Sequence, residues 1–427
     1  MFKKVLYNTG SQIIGKVISA STTLLVTVLI GRSLGPAGFG QFTKIFVFVG
    51  YFYTFVDFGL NTIFVKFAKE ENLPSLFKFL IGLRIILAFI FATLAILISF
   101  ILPFNPQTGV GFSPLVKVGI IIASATIITQ ALLTTANAYF QKILRYDFST
   151  VAVFFGSIVI LTASAFVTFS HGSVLGYVVA YILGGITFAA SSYFLIFKKL
   201  GRIILPVFSK HKSLELLSHS WPVGVALIFN LLYFRIDVLI LANWRSSEEV
   251  GLYGLAYQFF EASLAIPIFF ANALYPILNG IYQVNLAEFK KQVVSWLKIL
   301  TAVSLLLVVA LVAISYFIPF IYDKRFGGSV LALQILAIGI PFFFISALFW
   351  HLLIIYGKQK LLIYIYGVGA VINLIANLIF IPIYGYLAAA TITVVSEGLI
   401  TLLLFLAIRS QSGSGRLEVR KLGTNDD

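Results

Sequence analysis

The stretch FLIGLRIILAFIFATLAILISFIL, from Phe79 to Leu102, decides the fold of this chain. Arg84 is its single charged residue. An apolar run of at least about 18 residues is typical of a transmembrane helix, because about 20 residues that rise 1.5 Å each cross a hydrocarbon core near 30 Å thick. The stretch therefore predicts a helix that spans a membrane.

Similar runs fill the rest of the chain, of which 60% is hydrophobic, with a mean hydropathy of +1.03 over 427 residues. Too little polar surface remains to cover a water-soluble fold. We predict about twelve spans: 13–30, 42–60, 79–102, 115–138, 148–169, 174–197, 221–243, 252–275, 293–320, 330–356, 361–381 and 386–408.

The spans are apolar on every face and contain Gly, Ser and Thr, as expected where helices pack closely in lipid. A β-barrel would need alternating strands of about ten residues, and that pattern is absent from the sequence. Lys3 and Lys4 precede the first apolar run as in a secretory signal, but no small-residue cleavage site follows. We therefore predict an all-α, multi-pass membrane protein whose first span is retained.

The distribution of lysine and arginine predicts the orientation, since these residues are enriched in cytoplasmic loops. If alternate loops lie on opposite sides, about 21 of the 30 basic residues fall on the side of the N-terminus and about five on the other side. Both termini are therefore expected in the cytoplasm, with the protein in the cytoplasmic membrane.

The same distribution accounts for the net charge of +15 through loops that face anionic lipid, so nucleic acid is not an expected partner. Cysteine is absent and the four histidines are scattered, which argues against a metal site. The loops are short, and the sequence has no phosphate-binding glycine loop and no Ser/His/Asp grouping. We expect neither an enzyme nor a cofactor.

The informative residues are ionisable ones inside the predicted spans: Lys16, Lys44, Asp57, Arg84, Arg235, Asp237, Glu261 and Glu397. A charge at mid-helix costs roughly 2.5 to 3.5 kcal/mol on the insertion scale, and such residues usually mark a substrate or ion path. Each also has a purely structural interpretation.

Arg235 and Asp237 are two residues apart, about 200° around a helix, and so face different partners. Arg235 either lines an interior cavity or forms a structural ion pair with another helix. Lys16 and Arg84 lie near the cytoplasmic ends of their spans, where they either line the cavity or extend toward the interface. Lys44 is expected to reach the outer interface in the same way.

Glu261 lies six residues before Pro267, which can kink the helix. A kinked helix with a carboxylate suits ion coupling or gating, although a packing kink explains it equally well. Glu397 is either a coupling residue or a buried hydrogen-bonding group. Asn373 and Asn377 share a helix face at spacing i, i+4, where they either bind a sugar or join neighbouring helices.

A faint internal repeat supports two similar halves. Phe39-Gly40-Gln41-Phe42 follows the first span, and Val250-Gly251-Leu252-Tyr253 follows the seventh, 211 positions later by subtraction of residue numbers. Two related halves around a central cavity are the common plan of alternating-access transporters. We predict six-helix lobes at 1–200 and 221–409, a basic cytoplasmic linker at 201–220 and a cytoplasmic tail at 410–427.

Four stretches in order resemble polysaccharide-biosynthesis flippases of the multidrug/oligosaccharidyl-lipid/polysaccharide exporter superfamily. The first is the opening from Asn8 to Gly40, with its turn Gly31-Arg32-Ser33-Leu34-Gly35-Pro36. The others are Asp57-Phe58-Gly59-Leu60, Arg235-Ile236-Asp237 followed by Glu249 to Tyr253, and Asn373 to Asn377 leading to 381–390 and Glu397.

The resemblance implies a two-lobed helical fold that moves a polyprenyl-diphosphate-linked oligosaccharide from the cytoplasmic to the outer leaflet, coupled to a proton or sodium gradient. Arg235, Lys16 and Arg84 are then candidate ligands of the diphosphate. Asp57, Asp237, Glu261 and Glu397 are candidate coupling residues. Membrane lipids, a polysaccharide polymerase and glycosyltransferases are the expected partners. An exporter of organic cations with the same fold, and a scaffold that does not transport, are the alternatives.

Overall fold

The structure, a computed structural model, describes residues 2–412 and is built almost entirely from helices over that range. Its strands there are β1 (Phe104–Asn105) and β2 (Val110–Gly111), which form an antiparallel hairpin with Phe104 opposite Gly111. The helices of the first part are α1 (Phe2–Asp57), α2 (Leu60–Phe67), α3 (Leu73–Ile101), α4 (Pro114–Ala123), α5 (Ala125–Lys142), α6 (Tyr146–Phe169), α7 (Val174–Leu200) and α8 (Lys210–Trp244). Those that follow are α9 (Ser247–Ser263), α10 (Ala265–Val284), α11 (Leu286–Ser315), α12 (Ile318–Ile321), α13 (Gly327–Ile338), α14 (Ile340–Ile355), α15 (Gln359–Tyr384) and α16 (Tyr386–Ser412).

A glycine divides α1 into the first two predicted spans. Gly35 has φ 66° and ψ −172°, which ends the helical path, and Pro36 begins the next one. Glycine suits the end of a helix because it lacks a Cβ, and proline suits a first turn because its missing N–H is not needed there. The turn predicted at 31–36 is reduced to Gly35, because residues 31–34 continue the first helix.

Eleven helical segments within the described residues are long and apolar enough to cross a membrane. The first of them, Tyr7–Phe67, has 61 residues and is about 90 Å long at 1.5 Å per residue, enough for two crossings. The predicted all-α architecture with about twelve spans is confirmed.

Several of the predicted spans contain a break between two helices. Short breaks separate α4 from α5 at Ser124, α9 from α10 at Leu264, and α13 from α14 at Gly339. The break at Leu264 lies just before Pro267, whose ring would clash with a carbonyl one turn earlier in a continuous helix. The kink predicted near Pro267 is therefore present, about one turn before the proline.

Contacts divide the described residues into two compact units. The first extends to Gly251 and includes Ile321–Asp323, whereas the second contains Leu252–Phe320 and the residues from Lys324 onward. Helix α8, which begins at Lys210 inside the segment predicted as a linker, belongs to the first unit. The predicted lobes at 1–200 and 221–409 concern duplicated halves and remain a prediction, and the predicted tail lies largely outside the described residues.

The segment 201–209 between α7 and α8 is attached to α3. The Val207 backbone N–H donates to the Lys78 carbonyl at 3.1 Å, and Gly82 allows this close approach because a Cβ there would collide with the Val207 carbonyl. Ile204 and Leu216 are buried in a core cluster that also contains Phe77. The connection between the two helices is therefore packed against the bundle.

Candidate functional site

A buried ion pair joins two of the predicted site residues in the first unit. The Arg84 guanidinium on α3 contacts the Asp57 carboxylate at the end of α1 and donates a hydrogen bond to Thr135 Oγ1 on α5 at 3.3 Å. Arg84 is 1% exposed, whereas Asp57 is 25% exposed. Arg84 does not extend to the interface, the alternative noted from its sequence position, because its charge is neutralised inside the bundle.

The surroundings of this pair are polar but incompletely hydrogen-bonded. The Arg84 Nε and the Tyr193 hydroxyl are both buried and make no hydrogen bond within the described structure. The Arg84 charge nevertheless interacts with the Tyr193 side chain. A buried polar group without a hydrogen bond is costly, so these two groups distinguish the cluster from the apolar core around it.

A second cluster lies where α1 and α8 meet. Tyr51 on α1 is close enough to both Arg235 and Asp237 on α8 for each charge to act on its hydroxyl. Asp237 is buried and accepts a hydrogen bond from the Val238 backbone N–H at 2.7 Å, whereas Arg235 is half-buried. Both predicted residues thus lie in the second half of α8, where their charges act on the same tyrosine of α1.

A third cluster lies in the second unit, around Glu397 on α16. Its buried carboxylate accepts a hydrogen bond from the Ser346 hydroxyl on α14. Ser346 also forms a hydrogen bond with Tyr366 on α15, on which the Glu397 charge acts. These contacts join three helices around one carboxylate.

Asn373 and Asn377 on α15 are linked to each other and to α16 by hydrogen bonds. The Asn377 amide donates to Asn373 Oδ1 at 2.9 Å, and the Asn373 amide donates to Ser396 Oγ on α16 at 3.1 Å. Both asparagines are buried, and Asn377 Oδ1 accepts no hydrogen bond within the described residues. The contacts between α15 and α16 are those expected of residues that join helices.

The two remaining charged residues of the predicted site lie on α1 and α9. Lys16 is exposed on the first half of α1, and Glu261 is half-buried near the end of α9. The residues between 2 and 412 contain no group of three or more His, Cys, Asp or Glu side chains that could hold a metal ion.

Lys44 was expected to reach the outer interface, and this expectation is wrong. Its ammonium is fully buried and donates to the Gly111 carbonyl of the hairpin at 2.7 Å and to the Arg245 carbonyl at the end of α8 at 3.1 Å. The Phe112 ring lies 5.9 Å from the ammonium. Backbone carbonyls satisfy the charge, and so Lys44 joins α1, the hairpin and α8.

The two glycines of the faint repeat contact each other. A Cβ on Gly40 would collide with the Ser247 carbonyl and lie 2.8 Å from the Gly251 nitrogen. A Cβ on Gly251 would collide with the Pro36 carbonyl and lie 3.0 Å from the Gly40 nitrogen. Each glycine thus meets the other glycine and the carbonyl four residues before it, so the backbones of α1 and α9 are in contact at this point.

Comparison with known families gives two matches. The family model described as polysaccharide biosynthesis protein matches residues 2–281, and the model described as MatE matches residues 222–379. Together they extend over most of the helical bundle.

Among individual proteins, the chain is 23% identical over 404 residues to an uncharacterized membrane protein of Methanocaldococcus jannaschii. The match covers 88% of this chain and 78% of that protein. The fold of the present chain is similar to that of the lipid II flippase MurJ in an inward closed conformation. The TM-score is 0.71 at 14% identity, and the match covers 95% of this chain and 87% of that chain. The fold is also similar to that of an inward-facing multidrug resistance MATE family transporter of the MOP superfamily, with a TM-score of 0.73, 13% identity and coverage of 96% and 99%. At these identities the solved structures establish the fold.

Proposed function

Since the chain belongs to the polysaccharide biosynthesis protein family, we propose that it is a flippase for lipid-linked oligosaccharides. The proposed substrate is a polyprenyl-diphosphate-linked oligosaccharide, which moves from the cytoplasmic to the outer leaflet by alternating access. The similarity to MurJ, a lipid II flippase, supports this class of substrate.

The observation that carries the proposal is Arg235, a half-buried guanidinium in the second half of α8 whose charge acts on the Tyr51 hydroxyl of α1. An arginine at this depth is costly unless it serves a partner or a ligand. A diphosphate is a suitable ligand for Arg235, because the planar guanidinium can bind two phosphate oxygens at once. In this proposal Arg235 holds the anionic headgroup while the polyprenyl chain stays in lipid.

We assign ion coupling to the Asp57–Arg84 pair. Asp57 is partly exposed and so can take up a proton, whereas its partner Arg84 is buried. Protonation of Asp57 would leave Arg84 as an uncompensated buried charge, which is strongly unfavourable. This cost would favour rearrangement of α1 against α3, which couples the proton to transport. Asp237, Glu261 and Glu397 remain alternative coupling residues, and sodium remains the alternative ion.

The test is transport of a fluorescent polyprenyl-diphosphate oligosaccharide by the purified full-length protein in vesicles, measured as protection of the sugar from a lectin outside. We expect transport to be lost in Arg235→Ala and partly retained in Arg235→Lys, because lysine keeps the charge without the bidentate geometry. Lys298→Ala is the matched control, since Lys298 is an exposed cation on α11. Wild-type transport rates in Arg235→Ala at equal expression would overturn the site assignment.

The same vesicles distinguish the alternative, an exporter of organic cations, which the MatE match over 222–379 favours. An exporter would transport a lipophilic cation, would depend on Glu397 or Asp57 and would tolerate Arg235→Ala. A proton gradient that drives the lipid-linked substrate in the wild type and not in Asp57→Asn is the expected result for coupled flipping. A sodium gradient that drives the wild type in place of a proton gradient would contradict the proton assignment.

A further inference from the structure

The connection between α7 and α8 presents apolar and basic side chains together on the surface. We define the anchor strip as residues 198–214. Its exposed apolar residues include Ile203, Leu205 and Phe208, which are 72%, 69% and 55% exposed. Its exposed cations are Lys198, Lys199, Arg202, Lys210 and Lys212.

The anchor strip is held in place rather than left loose. Ile204 points into the core cluster while its neighbours Ile203 and Leu205 point outward, as expected of an extended segment whose side chains alternate. The Val207 N–H to Lys78 hydrogen bond fixes the backbone on α3. The outward apolar side chains are therefore presented by a backbone that is attached to α3.

We propose that the anchor strip binds the anionic headgroup region of the bilayer, on the side that the charge distribution assigns to the cytoplasm. Exposed apolar side chains together with cations are typical of segments that lie in the membrane interface. The strip contains five cations, and the nearby acid Glu215 is already paired with Lys212 at 2.9 Å. Positive charge is thus available for phosphatidylglycerol or a similar anionic lipid.

The depth of the strip supports this occupant. The predicted span in α7 ends at Phe197, directly before Lys198, and the predicted span in α8 begins at Trp221, which is exposed. Tryptophan is enriched at membrane interfaces, and cations follow spans at the level of the headgroups. The anchor strip lies between these two markers along the chain, so its apolar side chains reach the boundary between headgroups and acyl chains.

The experiment uses the absence of cysteine from the chain, which makes Leu205→Cys a unique labelling site. The full-length variant carries a fluorescent label there and is reconstituted in phosphatidylcholine vesicles with a small share of nitroxide-labelled phosphatidylglycerol or, in a parallel sample, nitroxide-labelled phosphatidylcholine. We expect the anionic lipid to quench the label more strongly, and salt to reduce the difference.

The variant K198Q/K199Q should lower the preference for phosphatidylglycerol over phosphatidylcholine, measured by this quenching, by about fivefold for each cation removed. The variant K290Q/K291Q, which removes an equally adjacent exposed pair at the start of α11, should leave it unchanged. Equal quenching by the two lipids, or the same response to both double variants, would overturn the proposal. Strong quenching by aqueous iodide in either membrane would also overturn it, in favour of a protein partner in water. None of these measurements requires transport.

Discussion

Gly40 and Gly251 face each other where α1 and α9 cross, and a Cβ on either residue would collide with the backbone of the other helix. The contact is reciprocal: each glycine faces the carbonyl that lies four residues before the other glycine. Backbone-to-backbone packing of this kind has no room for a methyl group, so it depends on glycine at both positions.

Alanine at either crossing glycine should therefore destabilise the protein. For Gly251→Ala we expect a loss of about 1 to 3 kcal/mol, typical of overpacking, because the added methyl group meets the Pro36 carbonyl. Thermal unfolding in detergent measures the effect. Gly50→Ala in α1 is the control: no atom lies within 4 Å of its added Cβ, and alanine favours a helix. Equal stability of the two variants would contradict the packing at the crossing.

Removing one partner of the Asp57–Arg84 pair should cost more than removing both. Asp57→Asn leaves the buried guanidinium without its anion and should destabilise by about 3 to 5 kcal/mol, whereas adding Arg84→Gln should restore part of the loss. A double-mutant cycle measured by chemical unfolding gives the coupling energy. The exposed pair of Lys212 and Glu215 is the comparison, and its cycle should show no measurable coupling. Additive effects at Asp57 and Arg84 would rule out an interacting pair.

Lys44→Met should loosen the hairpin without unfolding the bundle. The substitution leaves the Gly111 and Arg245 carbonyls without their charged donor, and hydrogen bonds to charged groups contribute about 1.5 to 3 kcal/mol. We expect amide exchange at Phe112, whose N–H donates to Pro103, to become about tenfold faster or more. Lys117→Met removes an exposed donor to the Phe100 carbonyl and is the control. Unchanged exchange at Phe112 would show that Lys44 does not hold the hairpin.

Hydrophobic runs were enough to predict the spans, because a helix in lipid must be apolar along about 20 residues whatever it packs against. The breaks within the helices were harder to predict from the local sequence. Pro267 indicated one of them, whereas Ser124 lies in a run without proline or glycine at the break. Periodicity and composition do not predict where packing against neighbouring helices interrupts a helix.

The contacts of the charged residues could not be predicted for a related reason. Lys44 binds carbonyls 67 and 201 positions away, and Arg84 pairs with a carboxylate 27 positions earlier on another helix. Insertion costs identified these residues as unusual, but the cost is the same whether the partner is a carbonyl, a carboxylate or a ligand. Tertiary structure alone distinguishes these partners.

Neither side of the crossing of α1 and α9 can change alone, because each helix supplies both a glycine and the carbonyl that the other glycine accommodates. A substitution that enlarges one of the two glycines therefore separates the two backbones at both points of contact.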